Sequence, residues 1–428
     1  MIYFGFCVLV SVTLMFSNHE KKLWGSKKTP FAFVVYPFLS LLFITVFIGP
    51  SMGFYSLHVE TLLVIGLFFA LFATASISLS RLGGMRASAP SRLETTRAIL
   101  PRDARQHRVG SLEYLILGGM LVLVFGSTIA SRGGGDVVKG ELGVGGIGGH
   151  LIEVAIAYLI IAASDRRAHR LIRIVFALLV VWLLAINQVK SLIFLPLAAA
   201  VLYRWASGQM ATWKVALLAF GTPLTMVVAV YAYFGASAAV AGFVLTPELV
   251  GELARHLMAY LMAGILGLDQ LLMQVKIVAF GADGLEYALA PLINLIRFVI
   301  GTGDYFIVVN PLYVIIHPGD LIDSNVFTVF GSLLYRGGWV GAISITLAYA
   351  LLSYWIWSRW RIRVSALACA AGSWWMAPLL FAWFDPYFTT FSFIEIMIIL
   401  AVRGGLRLPR LVERAPRSTS TTISAPGY

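Results

Sequence analysis

The chain has 428 residues, of which 59% are hydrophobic and only 12% charged, and its mean hydropathy is +0.87. That balance excludes a soluble globular domain, and the recurrence of apolar runs long enough to cross a bilayer specifies a polytopic membrane protein. The net charge of +12 does not point to nucleic acid, because the basic residues fall in short clusters between apolar runs, the pattern that retains loops in the cytoplasm.

The first apolar stretch, residues 1 to 17, has no basic segment before it and is followed by Lys21, Lys22, Lys27 and Lys28. It reads as an uncleaved anchor with its N-terminus outside. A second span, 30 to 49, opens on Pro30 and closes at the turn signal Gly49-Pro50-Ser51-Met52-Gly53. A third, 58 to 79, returns to an arginine-rich loop over 80 to 111, which orients the chain and attracts anionic lipid headgroups. Cys7 and Cys369 lie in apolar runs without disulfide or metal-ligand spacing and read as small core residues.

A fourth span, 112 to 130, leads to Arg132 and a glycine-rich run reaching His150. Such a run is either a plain loop or a site wall whose backbone N–H groups approach a phosphate or sugar. A fifth span, 147 to 164, ends at Asp165-Arg166-Arg167, an internal marker. Spans six and seven, 171 to 186 and 191 to 203, form a hairpin around Lys190 and are short for a full crossing, as helices are that bring polar groups to membrane depth. Lys190 is either a headgroup-level snorkelling lysine or an anion-binding group. An eighth span covers 215 to 235.

Residues 236 to 336 lack a basic cluster. Arg255, Lys276, Arg297 and Arg336 are outnumbered there by Glu248, Glu252, Asp269, Asp283, Glu286, Asp304, Asp320 and Asp323. This region reads as a large outer loop whose apolar segments, 256 to 280 and 287 to 300, are interfacial or re-entrant helices. Three further spans, 338 to 356, 364 to 382 and 388 to 402, precede an arginine- and Ser/Thr-rich tail that reads as disordered. The expected architecture is an all-α polytopic bundle of about eleven transmembrane helices. Its parts are an N-terminal membrane bundle (1–235), the loop domain (236–336), C-terminal membrane helices (337–403) and a cytoplasmic tail (404–428). All but seven of the 32 Lys and Arg residues then lie inside; the seven are Arg132, Lys139, Lys190, Arg255, Lys276, Arg297 and Arg336.

Cations, carboxylates and aromatic rings on the outer side suit an anion with a greasy end: guanidinium forks grip phosphate, carboxylates accept protons or sugar hydroxyls, and rings stack on sugars. For each arginine the alternative is a salt bridge that holds the loop together. His317 opens a Pro-Gly turn beside Asp320 and Asp323, and His256 follows Arg255 directly. No metal-ligand spacing is present.

The run Ser324-Asn325-Val326-Phe327-Thr328-Val329-Phe330-Gly331, followed by Tyr335-Arg336-Gly337-Gly338-Trp339-Val340-Gly341 entering a span, resembles the late outer loop of the oligosaccharide repeat-unit polymerases, the O-antigen polymerase (Wzy-type) family. Arg336-Gly337 departs from the acidic or Phe-Gly pair of many members. The resemblance implies a GT-C-like glycosyltransferase of the bacterial inner membrane that joins undecaprenyl-pyrophosphate-linked repeat units on the periplasmic side. It implies no nucleotide sugar, no metal and no cofactor, and a chain-length regulator as partner beside membrane lipids. It places Arg255 and Arg297, with Lys190 and Arg132, at the donor pyrophosphate. His317, Asp320 or Asp323 takes the acceptor proton, and Asn325, Tyr335 and Arg336 belong to the substrate loop. A ligase or other lipid-linked glycosyltransferase shares this chemistry; a transporter would instead show inverted repeats and mid-bilayer substrate residues.

Overall fold

The computed structural model describes residues 1–26, 28–82, 109–132, 147–163, 165, 168–186, 190–206, 246–302, 306, 308, 310–319, 321–362 and 366–405. The arginine-rich loop, most of the glycine-rich run, the eighth span, Asp320 and the C-terminal tail lie outside the described residues, as do the side chains of Arg132 and Lys190.

Twelve helices are described: α1 (Ile2–Trp24), α2 (Pro30–Phe47), α3 (Val59–Leu82), α4 (Ser111–Arg132), α5 (Ile147–Ala162), α6 (Arg170–Ile186), α7 (Lys190–Ala206), α8 (Pro247–Gln274), α9 (Gly284–Ile300), α10 (Val329–Ile362), α11 (Ala366–Leu380) and α12 (Phe391–Gly405). Among the described residues, α1, α2, α3, α8 and α10 are long and apolar enough to cross a membrane, and shorter apolar stretches lie in α4, α5 and α7. The chain is a helical membrane protein.

Local chemistry sets the helix ends. Thr29 caps α2 by accepting the Ala32 N–H at 3.2 Å, with Pro30 in the first turn, where its missing N–H costs nothing. A 3-10 turn, Gly49–Met52, closes α2 and ends on Gly53 at φ 88°, a left-handed conformation that glycine adopts without strain. In the bundle α3 packs along α10, and α7 lies between α5 and α11. At one end, buried Glu20 of α1 accepts from Thr29, from Tyr354 of α10 and, at 2.7 Å, from Ser76 of α3, which in turn accepts from Trp24 Nε1 at 2.9 Å. A buried carboxylate so saturated with donors ties four helices together where an isolated one would unfold them.

The opposite end carries a departure from the all-helical expectation. Strand β1 (Val314–His317) pairs antiparallel with β2 (Ile322–Ser324), with Ile315 opposite Asp323 and an irregularity before His317. Val314, Ile315 and Ile316 supply the β-branched run, and Pro318-Gly319 turns it; the connection puts Leu321 at φ 51°.

Length and composition would make α8 a span, but its contacts lay it across this hairpin end. Met262 touches Gly49, the Gly264 carbonyl accepts from Thr328 N–H, Leu268 meets Gly331, and Asp269 meets His58 and Thr61. Each partner sits where α2 ends or where α3 or α10 begins. The fully buried Asp269 takes the His58 N–H at 2.9 Å, its ring Nδ1–H at 3.0 Å and the Thr61 hydroxyl at 2.6 Å, so a carboxylate from α8 caps α3. Helix α9 lies at the same end. Gly284 packs on Gly337, Tyr287 against Arg336, and Phe298 on His150 and Phe391 at the starts of α5 and α12. Its free face, Leu285, Leu289, Leu292, Ile296 and Val299, is an exposed apolar stripe at helical spacing, the form of a helix lying in a membrane interface.

The Gly337-Gly338 pair breaks α10. Gly338 stands at φ 64° and ψ −171°, and the following turn begins anew. Its first N–H groups are satisfied from outside: Trp339 donates to the Val278 carbonyl at 3.1 Å and Val340 to Ala279 at 3.0 Å. A Cβ on Gly338 would lie 2.5 Å from the Val278 carbonyl oxygen, so no larger residue fits this crossing.

Candidate functional site

The hairpin end holds a cavity of about 810 Å³. Glu252, His256 and Tyr260 of α8 line one side at intervals of four residues, which place them on one helical face; Asp323 of β2 and Asn325 line another, and Phe384 closes the third. Tyr260 and Phe384 stack with centroids 5.7 Å apart and planes 21° apart, giving the cavity an apolar wall beside its carboxylates. Gly264 and Gly267 make this approach possible. A Cβ there would stand 2.1 Å from the Trp383 carbonyl oxygen and 2.2 Å from that of Val326.

Behind the wall runs a polar network. Asn310, 4% exposed, donates its side-chain amide to the Asn325 carbonyl at 3.3 Å and to Ser332 Oγ at 3.1 Å, while the Asn325 amide donates to the Asn310 carbonyl at 3.3 Å. Ser332 Oγ stands 3.2 Å from both the Phe327 carbonyl oxygen and Asp385 Oδ1. Burial pushes the Asp385 carboxyl up to about 7, against the lowering effect of the Ser332 hydrogen bond. It also pushes the neighbouring Tyr387 phenol up, so this phenol stays neutral.

The residues singled out from the sequence separate. Asp323 and Asn325 line the cavity, and Arg255 flanks it, three residues from Glu252 and four from Ala259, with its guanidinium lying back toward Gly251. His317 is 5% exposed and turned into the fold. Its Nε2–H donates to the Met52 carbonyl at 3.0 Å, its ring meets Phe54 edge-on at 4.8 Å, and it fills the space left by the missing Cβ of Gly53. The hairpin is thereby pinned to the α2–α3 turn. Arg336 bridges to Asp283 at 3.9 Å and lies over the rings of Tyr287 and Tyr335, and Tyr335 packs on Phe327. Arg297 sits in the last turn of α9, away from the cavity lining.

Glu252, His256, Tyr260, Phe384 and the Asp385 network were not legible as a site in the sequence. The signal that could have found the first three is their i, i+4, i+8 spacing, which puts three polar or aromatic groups on one face of a helix of span length. A second polar cluster joins α5 and α12, where His150 Nδ1–H donates to Glu395 at 2.8 Å beside buried Glu153. Glu395 thus makes a contact within the bundle.

A family described as "Family of unknown function (DUF6337)" matches residues 107–408. No curated protein and no solved structure matches the chain.

Proposed function

Starting from a chain that belongs to this family of unknown function, DUF6337, we propose that the protein is a glycosyltransferase that polymerises undecaprenyl-pyrophosphate-linked oligosaccharide repeat units. The observation that carries this reading is the cavity at the hairpin end: a stacked aromatic wall, two carboxylates, a histidine and an amide, set against helices suited to a membrane surface. Aromatic faces bind the apolar face of a sugar ring, and carboxylates and amides hold its hydroxyls. The membrane supplies the polyprenyl chain with its solvent.

The carboxylates repel a pyrophosphate, so the cavity takes the acceptor sugar and the donor phosphates lie toward Arg255. Asp323 accepts the proton of the acceptor hydroxyl as its oxygen bonds to the anomeric carbon. The bond from that carbon to the phosphate oxygen breaks, and the pyrophosphate leaves with the electron pair, its charge neutralised by guanidinium. Direct displacement inverts the anomeric centre. In this reading the protein lies in the bacterial inner membrane, its N-terminus and cavity are periplasmic, its C-terminus is cytoplasmic, and a chain-length regulator is its partner.

The test is transfer between lipid-linked repeat units by the full chain in lipid nanodiscs. Asp323→Asn should lower kcat by about a hundredfold or more with the folded amount unchanged. Arg255→Lys, which keeps charge but loses the planar fork, should also lose turnover. Full activity in both variants would remove the site, and transfer only to a lipid A core would make the protein a ligase.

A further inference from the structure

Ser332 carries one hydroxyl hydrogen and stands at equal distance from two acceptors, the Phe327 carbonyl and Asp385 Oδ1, with the Tyr287 phenol as a further hydrogen-bond partner. When Asp385 is ionised it takes that hydrogen. When Asp385 is protonated it becomes the donor, to Ser332 Oγ, and the serine hydrogen turns to Phe327. Ser332 Oγ accepts from Asn310 in both states, but a hydroxyl that donates to an anion is the stronger acceptor, so ionisation tightens the bond from Asn310. Asn310 and Asn325 are clasped by reciprocal amide–carbonyl hydrogen bonds, and Asn325 lines the cavity. Its Oδ1 has no hydrogen-bond partner among the described residues.

We propose that Asp385 is a positioning residue: through Ser332 and Asn310 it holds Asn325 with its amide oxygen as an acceptor for a hydroxyl of the glycan in the cavity. This rests on the reading of the protein as a glycosyltransferase. The groups around the carboxylate come from every side: Tyr287 of α9, Arg336 of α10 beyond it, Tyr387 of the following turn, and Tyr260 of α8 facing Tyr387. Both neighbouring phenols are held neutral by burial, so Asp385 is the member of this group that changes charge near neutrality.

Two measurements on the full chain in nanodiscs test the linkage. In an infrared titration, a protonated-carboxyl band should disappear as pH rises through about 7, should be missing in Asp385→Asn, and should shift its midpoint by at least about half a unit in Asn310→Ala. In the transfer assay, Asp385→Ala and Asn325→Ala should each raise the acceptor KM roughly tenfold while kcat stays within about threefold. The double variant should be no worse than either single one. Asp385→Asn keeps an acceptor for Ser332, so it should rescue KM and abolish the rise in KM that wild type shows as pH falls below the midpoint. A carboxyl band unmoved by Asn310→Ala, or additive effects of the two alanine variants, overturns the proposal. If wild type transfers no glycan, the glycosyltransferase reading falls, while the infrared titration still sustains or overturns the link from Asp385 to the cavity wall.

Discussion

His317 shows how one side chain's neighbours decide its work. A histidine opening a Pro-Gly turn beside two aspartates has the look of a base, and the same ring is buried with its Nε2–H committed to the Met52 carbonyl and its edge against Phe54. Removing it leaves that carbonyl short of a donor and a void above Gly53. His317→Ala should therefore lower stability by about 1–3 kcal/mol, seen as a drop in Tm and in membrane-inserted protein, with kcat of the surviving fraction near wild type. A large loss of kcat at unchanged Tm would return His317 to the chemistry. Arg336 is a parallel case. Stacked between Tyr287 and Tyr335 and paired with Asp283, it binds the start of α9 to the start of α10.

The element that organises the hairpin end is α8. Its one face carries Glu252, His256 and Tyr260 into the cavity, and farther along Gly264 and Gly267 let it lie against backbone carbonyls with no side chain between. Gly264→Ala and Gly267→Ala each force a Cβ into a carbonyl oxygen, so either should cost at least about 1–3 kcal/mol by displacing the helix. Gly119→Ala in α4, where nothing lies within 4 Å, is the control and should be neutral. Thermal unfolding of the purified full chain separates these outcomes; equal Tm values for all three would mean that α8 does not sit against Trp383 and Val326. The broken helix α10 follows the same logic, since Gly337 and Gly338 exist to admit α9 and the 278–281 segment.

At the scale of the whole molecule, the two ends of the bundle are chemically unlike. One is tied by the Glu20 cluster, and the other is roofed by α8, α9 and the hairpin. In the orientation proposed above, from the positive-inside pattern, the roofed end faces outside. Single cysteines at positions 90, 320 and 415, labelled with an impermeant reagent in intact cells, should report inside, outside and inside. Labelling of position 320 only from the cytoplasmic side would invert the chain and take the proposed periplasmic chemistry with it.

Hydropathy by itself determined that this is a helical membrane protein, because in hydrocarbon every backbone polar group must be satisfied within a helix and the apolar runs record that demand directly. The Pro318-Gly319 turn drew attention to Asp323, and Asn325 entered through the run 324–331 that resembles the late outer loop of the repeat-unit polymerases. Whether α8, α9 and Gly338 cross, cover or break was decided only by tertiary contacts: an apolar helix of span length has the same composition lying across a bundle as passing through it. The cavity belongs to that second class. Its lining comes from one face of α8, from Ile316, the 321 to 326 segment and Phe384, brought together by close glycine contacts, and such contacts between distant segments leave no periodicity along the chain.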